Sequence, residues 1–141
     1  MPARTAGTYL NGHLVTLSID AEPMEGFHTD INDSGPTVTD STLNDLAGGV
    51  DILASNNQGG SMTVTTIVSA GTTEPYKVLD GHLSAGTTFA MVCVGSKGGS
   101  SVTWTYAGCI ATQVPGPNAS AGEASAMLAT INIRYATRTV T

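Results

Sequence analysis

Residues 87 to 111, TTFAMVCVGSKGGSSVTWTYAGCIA, hold two apolar runs separated by a Gly-rich stretch, which is the pattern of an antiparallel β-hairpin. With residues 95–101 as the loop, six apolar residues share one face in three cross-strand pairs: Ala90 with Tyr106, Val92 with Trp104, and Val94 with Val102. Cys93 then pairs with Thr103 on the opposite face. A slip of one residue would exchange the two faces, so we expect this register.

The segments on either side of this hairpin show the same alternation. In residues 61–69, the apolar residues Met62, Val64 and Val68 fall on one face of a predicted strand. Residues 125–140 predict a long strand with an apolar face and a polar face: Met127, Ala129, Ile131, Ile133 and Tyr135 against Thr130, Asn132, Arg134 and Arg138. Near the start, residues 7–20 predict a hairpin that turns at Asn11-Gly12.

One helix is predicted, over residues 74–83. Thr73 is the expected N-cap, and Pro75 suits the first turn of a helix. An apolar stripe with helical spacing follows. Its members are Tyr76, Leu79 and Leu83.

The fold class follows from these elements and from the composition. Thr, which favours strands, occurs 21 times, whereas Glu, Lys and Arg together occur nine times. We therefore expect a single mainly β domain over residues 1–141. Its predicted architecture is an antiparallel β-barrel or sandwich of about six or seven strands with one flanking α-helix.

Residues 20–57 carry eight of the eleven acidic residues and have the least regular pattern in the chain. Weak signals predict strands at 26–31, 37–42 and 50–53 and a short helical turn at 41–46. We expect a long irregular acidic loop or hairpin over about residues 20–60, and segments of this kind are usually functional or ordered by a partner.

Charge excludes some classes of function. Charged residues make up 11% of the chain and the net charge is −6, whereas soluble domains average about 25% charged residues. Five basic residues argue against nucleic-acid affinity, and neither a transmembrane run nor a secretory signal is predicted. The scarcity of Lys and Glu predicts surfaces covered by partner subunits, although a monomer clad in Thr and Ser also fits.

A calcium site is one candidate in the acidic region. Asp30, Asn32 and Ser34 match the start of a calcium loop, but its twelfth position is Ser41 instead of Glu. A turn built on Asp and Asn side chains explains the segment better. The sequence therefore predicts no metal site.

The cysteines and histidines suggest no chemistry either. Cys93 and Cys109 lie too far apart along the predicted hairpin for an intrachain disulfide, so two buried or half-buried free thiols are expected. His13, His28 and His82 occur outside any nucleophile or metal motif. We predict neither an enzyme nor a cofactor.

The order of elements resembles that of phage tail tube proteins, in particular the compact type found in contractile and related long tails. The resemblance covers most of residues 10–140. It rests on five features in chain order: Gly59-Gly60 opening the strand at 61–69, the helix after it, the Lys-Gly-Gly tip at 97–99, the connection with Pro115 and Pro117, and the long closing strand.

This resemblance implies a structural subunit of a virion tail, assembled in the cytoplasm of a bacterial host. The subunit would form hexameric rings stacked into a hollow tube, through which DNA and the tape-measure protein pass. Sheath and tail terminator proteins are further implied partners, and no membrane is involved. A lumen lined by carboxylates repels the phosphate backbone of DNA. The candidate lumen-lining residues are Asp30, Asp33, Asp40 and Asp45.

The resemblance also implies that residues 40–60 reach the neighbouring ring. The candidate ring-stacking residues are apolar: Leu43, Leu46, Val50, Ile52 and Leu53. Packing of these residues on their own domain is the alternative. For the whole protein, the alternative function is a β-sandwich binding or capsid decoration module, although aromatic residues, at 5%, leave little material for a sugar-binding patch.

Overall fold

The computed structural model describes most of the chain. The described ranges are residues 15–24, 28–36, 38–44, 50–57, 59–97, 99–117, 119–122 and 125–141, with the backbone alone described for 28–29, 38–44 and 50–57. The predicted turn at Asn11-Gly12 lies outside these ranges.

Strands dominate the described part of the chain, which contains ten of them and one helix. In chain order these are β1 (Val15–Ile19), β2 (Glu22–Pro23), β3 (His28–Asp33), β4 (Val38–Asn44), β5 (Val50–Asn57), β6 (Gly60–Ile67), α1 (Pro75–Ala85), β7 (Phe89–Lys97), β8 (Ser100–Gln113), β9 (Leu128–Tyr135) and β10 (Thr137–Val140).

Eight of these strands form one antiparallel sheet in the order β2-β1-β7-β8-β9-β6-β3, with β10 also paired to β8. The mainly β antiparallel class with a helix is therefore confirmed. The barrel is wrong, because β2 and β3 are edge strands that do not pair with each other within the described residues. The remaining two strands, β4 and β5, pair with one another in a separate sheet.

The β7–β8 hairpin forms, but its predicted register is wrong by one residue. Lys97 pairs with Ser100, so a two-residue turn replaces the predicted seven-residue loop. Cys93 consequently pairs with Trp104 and lies 3% exposed in the core, on the face opposite to the predicted one. Loop length sets hairpin register, and a slip of one residue exchanges the two faces.

Strands β9 and β10 together form the long closing strand that the sequence predicts. Its apolar face is buried as expected, with Ile131 and Ile133 fully covered. The predicted position of Arg138 on the opposite face is wrong, since its guanidinium lies 3.0 Å from Asp33, which also accepts a hydrogen bond from Tyr135. A bend at residue 136 between the two strands changes the alternation.

The hydrophobic core lies between the inward faces of the sheet and α1. Both halves of the sheet contribute to one cluster, including Leu17 and Met91 from one half and Val64 and Ile131 from the other. Leu79 brings the helix into the same cluster and is fully buried.

Helix α1 begins at Pro75, close to the predicted start. Its N-cap is Glu74, so the expectation of Thr73 is wrong; the Glu74 carboxylate instead accepts a hydrogen bond from the Gly71 N–H at 2.9 Å. The helix ends at Ala85, and the C-cap residue Gly86 adopts the left-handed conformation at φ 68°.

The predicted irregular region contains regular structure. Residues 41–44 belong to β4, so a helical turn there is wrong, and residues 45–46 lie outside the described ranges. The β4–β5 pair, which we call the arm, makes no ladder with the eight-stranded sheet in the described residues. An isolated two-stranded sheet is marginal in water, so the arm is the element whose role most needs an explanation.

Candidate functional site: the Asp33 cluster and the arm

Asp33, at the end of β3, accepts hydrogen bonds from several parts of the chain. Its Oδ1 accepts from the Tyr135 hydroxyl at 2.6 Å and from the Gly35 N–H at 2.8 Å. Its Oδ2 accepts from the Tyr106 hydroxyl at 2.9 Å and from the Arg138 guanidinium at 3.0 Å. We call Asp33, Tyr106, Tyr135 and Arg138 the Asp33 cluster.

The cluster is partly enclosed, and its electrostatics favour a charged Asp33. The side chain of Asp33 is 11% exposed and that of Arg138 is 26% exposed. Burial raises the pKa of Asp33, but hydrogen bonds from Tyr135, Gly35, Arg138 and Tyr106 outweigh burial and leave that pKa below its ordinary value. Burial and the bond to Asp33 raise the pKa of both tyrosines.

The two tyrosines also pack on each other. The rings of Tyr106 and Tyr135 meet edge to face with centroids 4.9 Å apart, a favourable geometry for aromatic pairs. No local sequence motif predicts the cluster, because its members come from β3, β8, β9 and β10. The sequence predicts Asp33 as a lumen residue and predicts only strand-face positions for Tyr106, Tyr135 and Arg138.

Both chain segments that lead to the arm contact this cluster. On the side of β3, Asp33 binds the Gly35 N–H, and the Ser34 hydroxyl donates to the Ser61 carbonyl at 3.2 Å. On the side of β6, a Cβ added at Gly59 would overlap the Tyr135 carbonyl, and one added at Gly60 would lie 2.6 Å from the Gly35 carbonyl oxygen. The glycine pair is therefore required by close backbone approach.

The outward surface of β3, β6, β9 and the end of β8 carries hydroxyl and amide side chains, and we call it the polar face. Several of them pair with each other, as in the Thr65–Thr130 hydroxyl contact at 3.0 Å and the Asn132 amide bond to Gln113 at 2.9 Å. A shallow cleft of about 230 Å³ lies on this face. The exposed charged residues of the face are Asp30 and Arg134.

A second polar group joins the end of α1 to the sheet. The His82 ring lies 3.1 Å from an Asp20 oxygen and 2.8 Å from the Thr87 hydroxyl, and it stacks on Phe89 at 4.8 Å. Asp20 also accepts the Ala90 N–H at 3.0 Å. These contacts tie the β1–β2 turn, the helix end and β7 together, which is a structural role.

The thiols are free and buried, as predicted. Burial is the main cause that raises the pKa of Cys93 to about 11 and that of Cys109 to about 12, so both stay protonated and inert at neutral pH. Among the described residues, no group of three or more His, Cys, Asp or Glu side chains could hold a metal ion. At residues 30–35, the Asp33–Gly35 bond is the Asx turn that the sequence favoured.

The structure separates the predicted lumen residues. Asp30 is exposed on the polar face, whereas Asp33 is engaged in its cluster. Asp40 lies in β4, and Asp45 lies outside the described residues. The lumen assignment stays a prediction.

The predicted ring-stacking residues fall mostly in the arm. Leu43 lies in β4, and Val50, Ile52 and Leu53 lie in β5. Leu46 is outside the described ranges. The role of all five in stacking also stays a prediction.

The described fold is an open antiparallel sheet with one helix and a two-stranded arm that makes no ladder with that sheet. No protein family model matches the chain, and no curated protein matches it in sequence. Solved structures, however, do match its fold.

The tube-terminating cap of the anti-feeding prophage aligns with a TM-score of 0.75 at 11% identity, covering 99% of this chain and 95% of that chain. A chain of the PVC sheath-tube complex, from an extracellular contractile injection system in the extended state, aligns with a TM-score of 0.71 at 11% identity, covering 94% and 91%. The PVC sheath/tube terminator gives 0.68 at 14% identity, covering 97% and 99%. The structural neighbours are thus tail tube and terminator proteins of contractile injection systems, and the expected resemblance is confirmed at the level of the fold. No helix in the described ranges has the length and apolarity needed to cross a bilayer.

Proposed function

We propose that this protein is a structural subunit of a phage tail or a tail-like particle, where copies assemble into hexameric rings that stack into a tube. The observation that carries the proposal is the likeness over nearly the whole chain to tube and terminator components of contractile injection systems. The role is structural and not catalytic. Sheath, tape-measure and terminator proteins are the proposed partners.

The free edges of the sheet support ring formation. Within the described residues nothing pairs with the outer edge of β3, and β7 pairs with β8 no further than Cys109, which leaves residues 110–113 with one open edge. Open edges are templates for pairing with another chain. Pairing of β3 from one copy with the end of β8 from the next is a heterologous contact, which closes into a ring at the right rotation.

The arm supports contact between rings. Its cross-strand pairs place Leu43 opposite Asp51 and Ser41 opposite Leu53, so Leu43 and Leu53 share one face, while Val50 and Ile52 share the other. A two-stranded sheet with apolar residues on both faces gains stability when a partner covers it. A second copy in the neighbouring ring is the proposed partner.

The polar face supports a smooth bore. Some of its hydroxyl and amide groups bond to one another, as in the Thr65–Thr130 and Asn132–Gln113 pairs, and groups paired in this way are less available to a passing polymer. Asp30 and Arg134 balance each other on this face. An acidic excess in the bore would therefore come from Asp40 and Asp45, and DNA would pass without being bound.

Assembly is tested by negative-stain microscopy and sedimentation of the purified protein. We expect rings and tubes of uniform bore. Strictly monomeric behaviour at high concentration would contradict the proposal and favour the decoration or binding module.

The bore is tested with a variant in which Asp30, Asp40 and Asp45 are changed to Lys. We expect tubes that retain labelled DNA in co-sedimentation at low salt and release it as salt rises, because Lys binds phosphate with release of counterions. The matched control is Asp80→Lys on the exposed side of α1. Equal DNA retention by the control, or none by the triple variant, would remove the lumen assignment.

A further inference from the structure

The Asp33 cluster lies where the arm joins the sheet. The arm is reached from β3 through residues 34–36 and returns to β6 through Gly59. Asp33 and Met62 are cross-strand partners, so both connections leave the same end of the β3–β6 ladder. Anything that fixes these two connections also fixes the direction of the arm.

Tyr135 is the residue that both connections share. Its hydroxyl donates to Asp33, which holds the Gly35 N–H on the outgoing side. Its carbonyl and ring leave no room for a Cβ at Gly59 or Gly60 on the returning side. The two connections are therefore packed around one tyrosine.

The remaining cluster members hold Asp33 in place. Tyr106 and Arg138 bind the second carboxylate oxygen, and these two residues are themselves cross-strand partners in β8 and β10. Two residues of the main sheet thus fix Oδ2 of Asp33. Its Oδ1 accepts the Gly35 N–H of the outgoing connection. The Ser34 bond to the Ser61 carbonyl adds a second tie between the outgoing connection and β6.

We infer that the Asp33 cluster is a positioning device, which sets the direction in which the arm leaves the sheet so that a second copy meets a preformed docking element. A preorganised element loses less conformational entropy on binding, and its affinity for the partner is therefore higher. The inference rests on the proposed function, since it assumes that the arm contacts a neighbouring copy. Tyr135 and Asp33 act through the arm and need not touch the partner.

The test uses Tyr135→Phe in the full chain and measures the critical concentration for polymer formation. We expect that concentration to rise about tenfold or more, because a tenfold change is the low end of what the loss of one hydrogen bond to a charged group produces. Ser34→Ala is the second variant; because its hydroxyl is exposed, the fold does not depend on it, and we expect a smaller rise in the same direction.

The matched control is Tyr76→Phe. The Tyr76 hydroxyl also donates a partly buried hydrogen bond, to the Pro115 carbonyl at 2.9 Å. Tyr76, however, lies in α1, away from the arm connections. Urea unfolding of each variant establishes that the subunit is folded under assembly conditions. We expect Tyr76→Phe to lower stability in the same direction as Tyr135→Phe, by less because its acceptor is a neutral carbonyl, with no change in the critical concentration.

Two results would overturn the inference. One is an unchanged critical concentration for both Tyr135→Phe and Ser34→Ala; the other is an equal rise in the Tyr76→Phe control, which would attribute the effect to general stability. A wild-type chain that never polymerises would instead contradict the proposed function itself. The two failures are therefore distinguishable.

Discussion

At the scale of single residues, the Asp33 carboxylate links β3 to β8, β9 and β10 through hydrogen bonds. Burial alone would favour its neutral form, but the nearby Gly35 N–H and three donors from distant parts of the chain stabilise its charge. Hydrogen bonds to a charged group contribute about 1.5–3 kcal/mol each when they are removed singly. Because the pKa of Asp33 is lowered in the folded state, its contribution to stability is present above the unfolded pKa and is lost as pH falls.

Replacement of Asp33 by Asn is therefore expected to lower the free energy of unfolding at pH 7 by about 1–3 kcal/mol. The difference from wild type should shrink as pH falls from 4 toward 2, because protonation removes the same charge from the wild-type side chain. Urea unfolding at several pH values measures both effects. Asp30→Asn, at an exposed site, is the control and should stay within about 0.5 kcal/mol of wild type; a stability deficit of the Asp33→Asn variant that does not depend on pH would count against the charge argument.

At the scale of elements, a paired kink in β8 and the closing strand brings the cluster together. Gly108 adopts a positive φ of 64°, and the Ala136 N–H donates to the Ala107 carbonyl at 3.0 Å across the ladder. Tyr106 and Cys109 are both buried although they are three residues apart, so β8 exchanges its inward and outward faces at Gly108. Regular alternation would leave these side chains on opposite faces.

Replacement of Gly108 by Ala tests this kink. A positive φ costs a residue with a Cβ about 1–2 kcal/mol, and the new Cβ would also lie 2.9 Å from the Ala136 Cβ. Gly86→Ala is the matched control, because φ is 68° there and no atom lies within 4 Å of the added Cβ. We expect thermal unfolding to show a larger loss for Gly108→Ala; equal losses would mean that the Ala136 contact is relieved without cost.

At the scale of the whole molecule, the sheet and α1 share one core, and the arm takes no part in the ladders of that sheet within the described residues. The segment 38–57 holds three Asp and no Lys or Arg. The shared core of the sheet and α1 explains folding, and we propose that the arm, which makes no ladder with this sheet in the described residues, serves assembly.

Deletion of residues 38–57, with a short Gly-Ser linker in their place, is expected to leave a folded subunit that forms no tubes. The stability of the subunit should change by less than about 1 kcal/mol, because loop length has a small entropic effect when the ends are held in place. Circular dichroism with urea measures folding, and sedimentation measures assembly. Normal tube growth by the shortened chain would show that the arm is dispensable.

The sequence by itself determined the strand-rich class, the helix, the buried face of the closing strand and the free thiols. These features depend on local periodicity and on burial of side chains along one element, as at Leu79 and Ile131. The order of elements also came from the sequence, as a resemblance to phage tail tube proteins. The acidic character of the arm was also a sequence property.

The tertiary structure alone decided the register of β7 and β8, the open edges of the sheet and the Asp33 cluster. A two-residue turn shifted the hairpin by one residue, and the kink at Gly108 exchanged faces in mid-strand. The hairpin register and the kink both depend on backbone geometry, which cannot be read from the amino-acid composition. The cluster unites Asp33 with Tyr106, Tyr135 and Arg138, residues up to 105 positions apart, and contacts at such separation arise from strand pairing across the whole sheet and not from any local pattern.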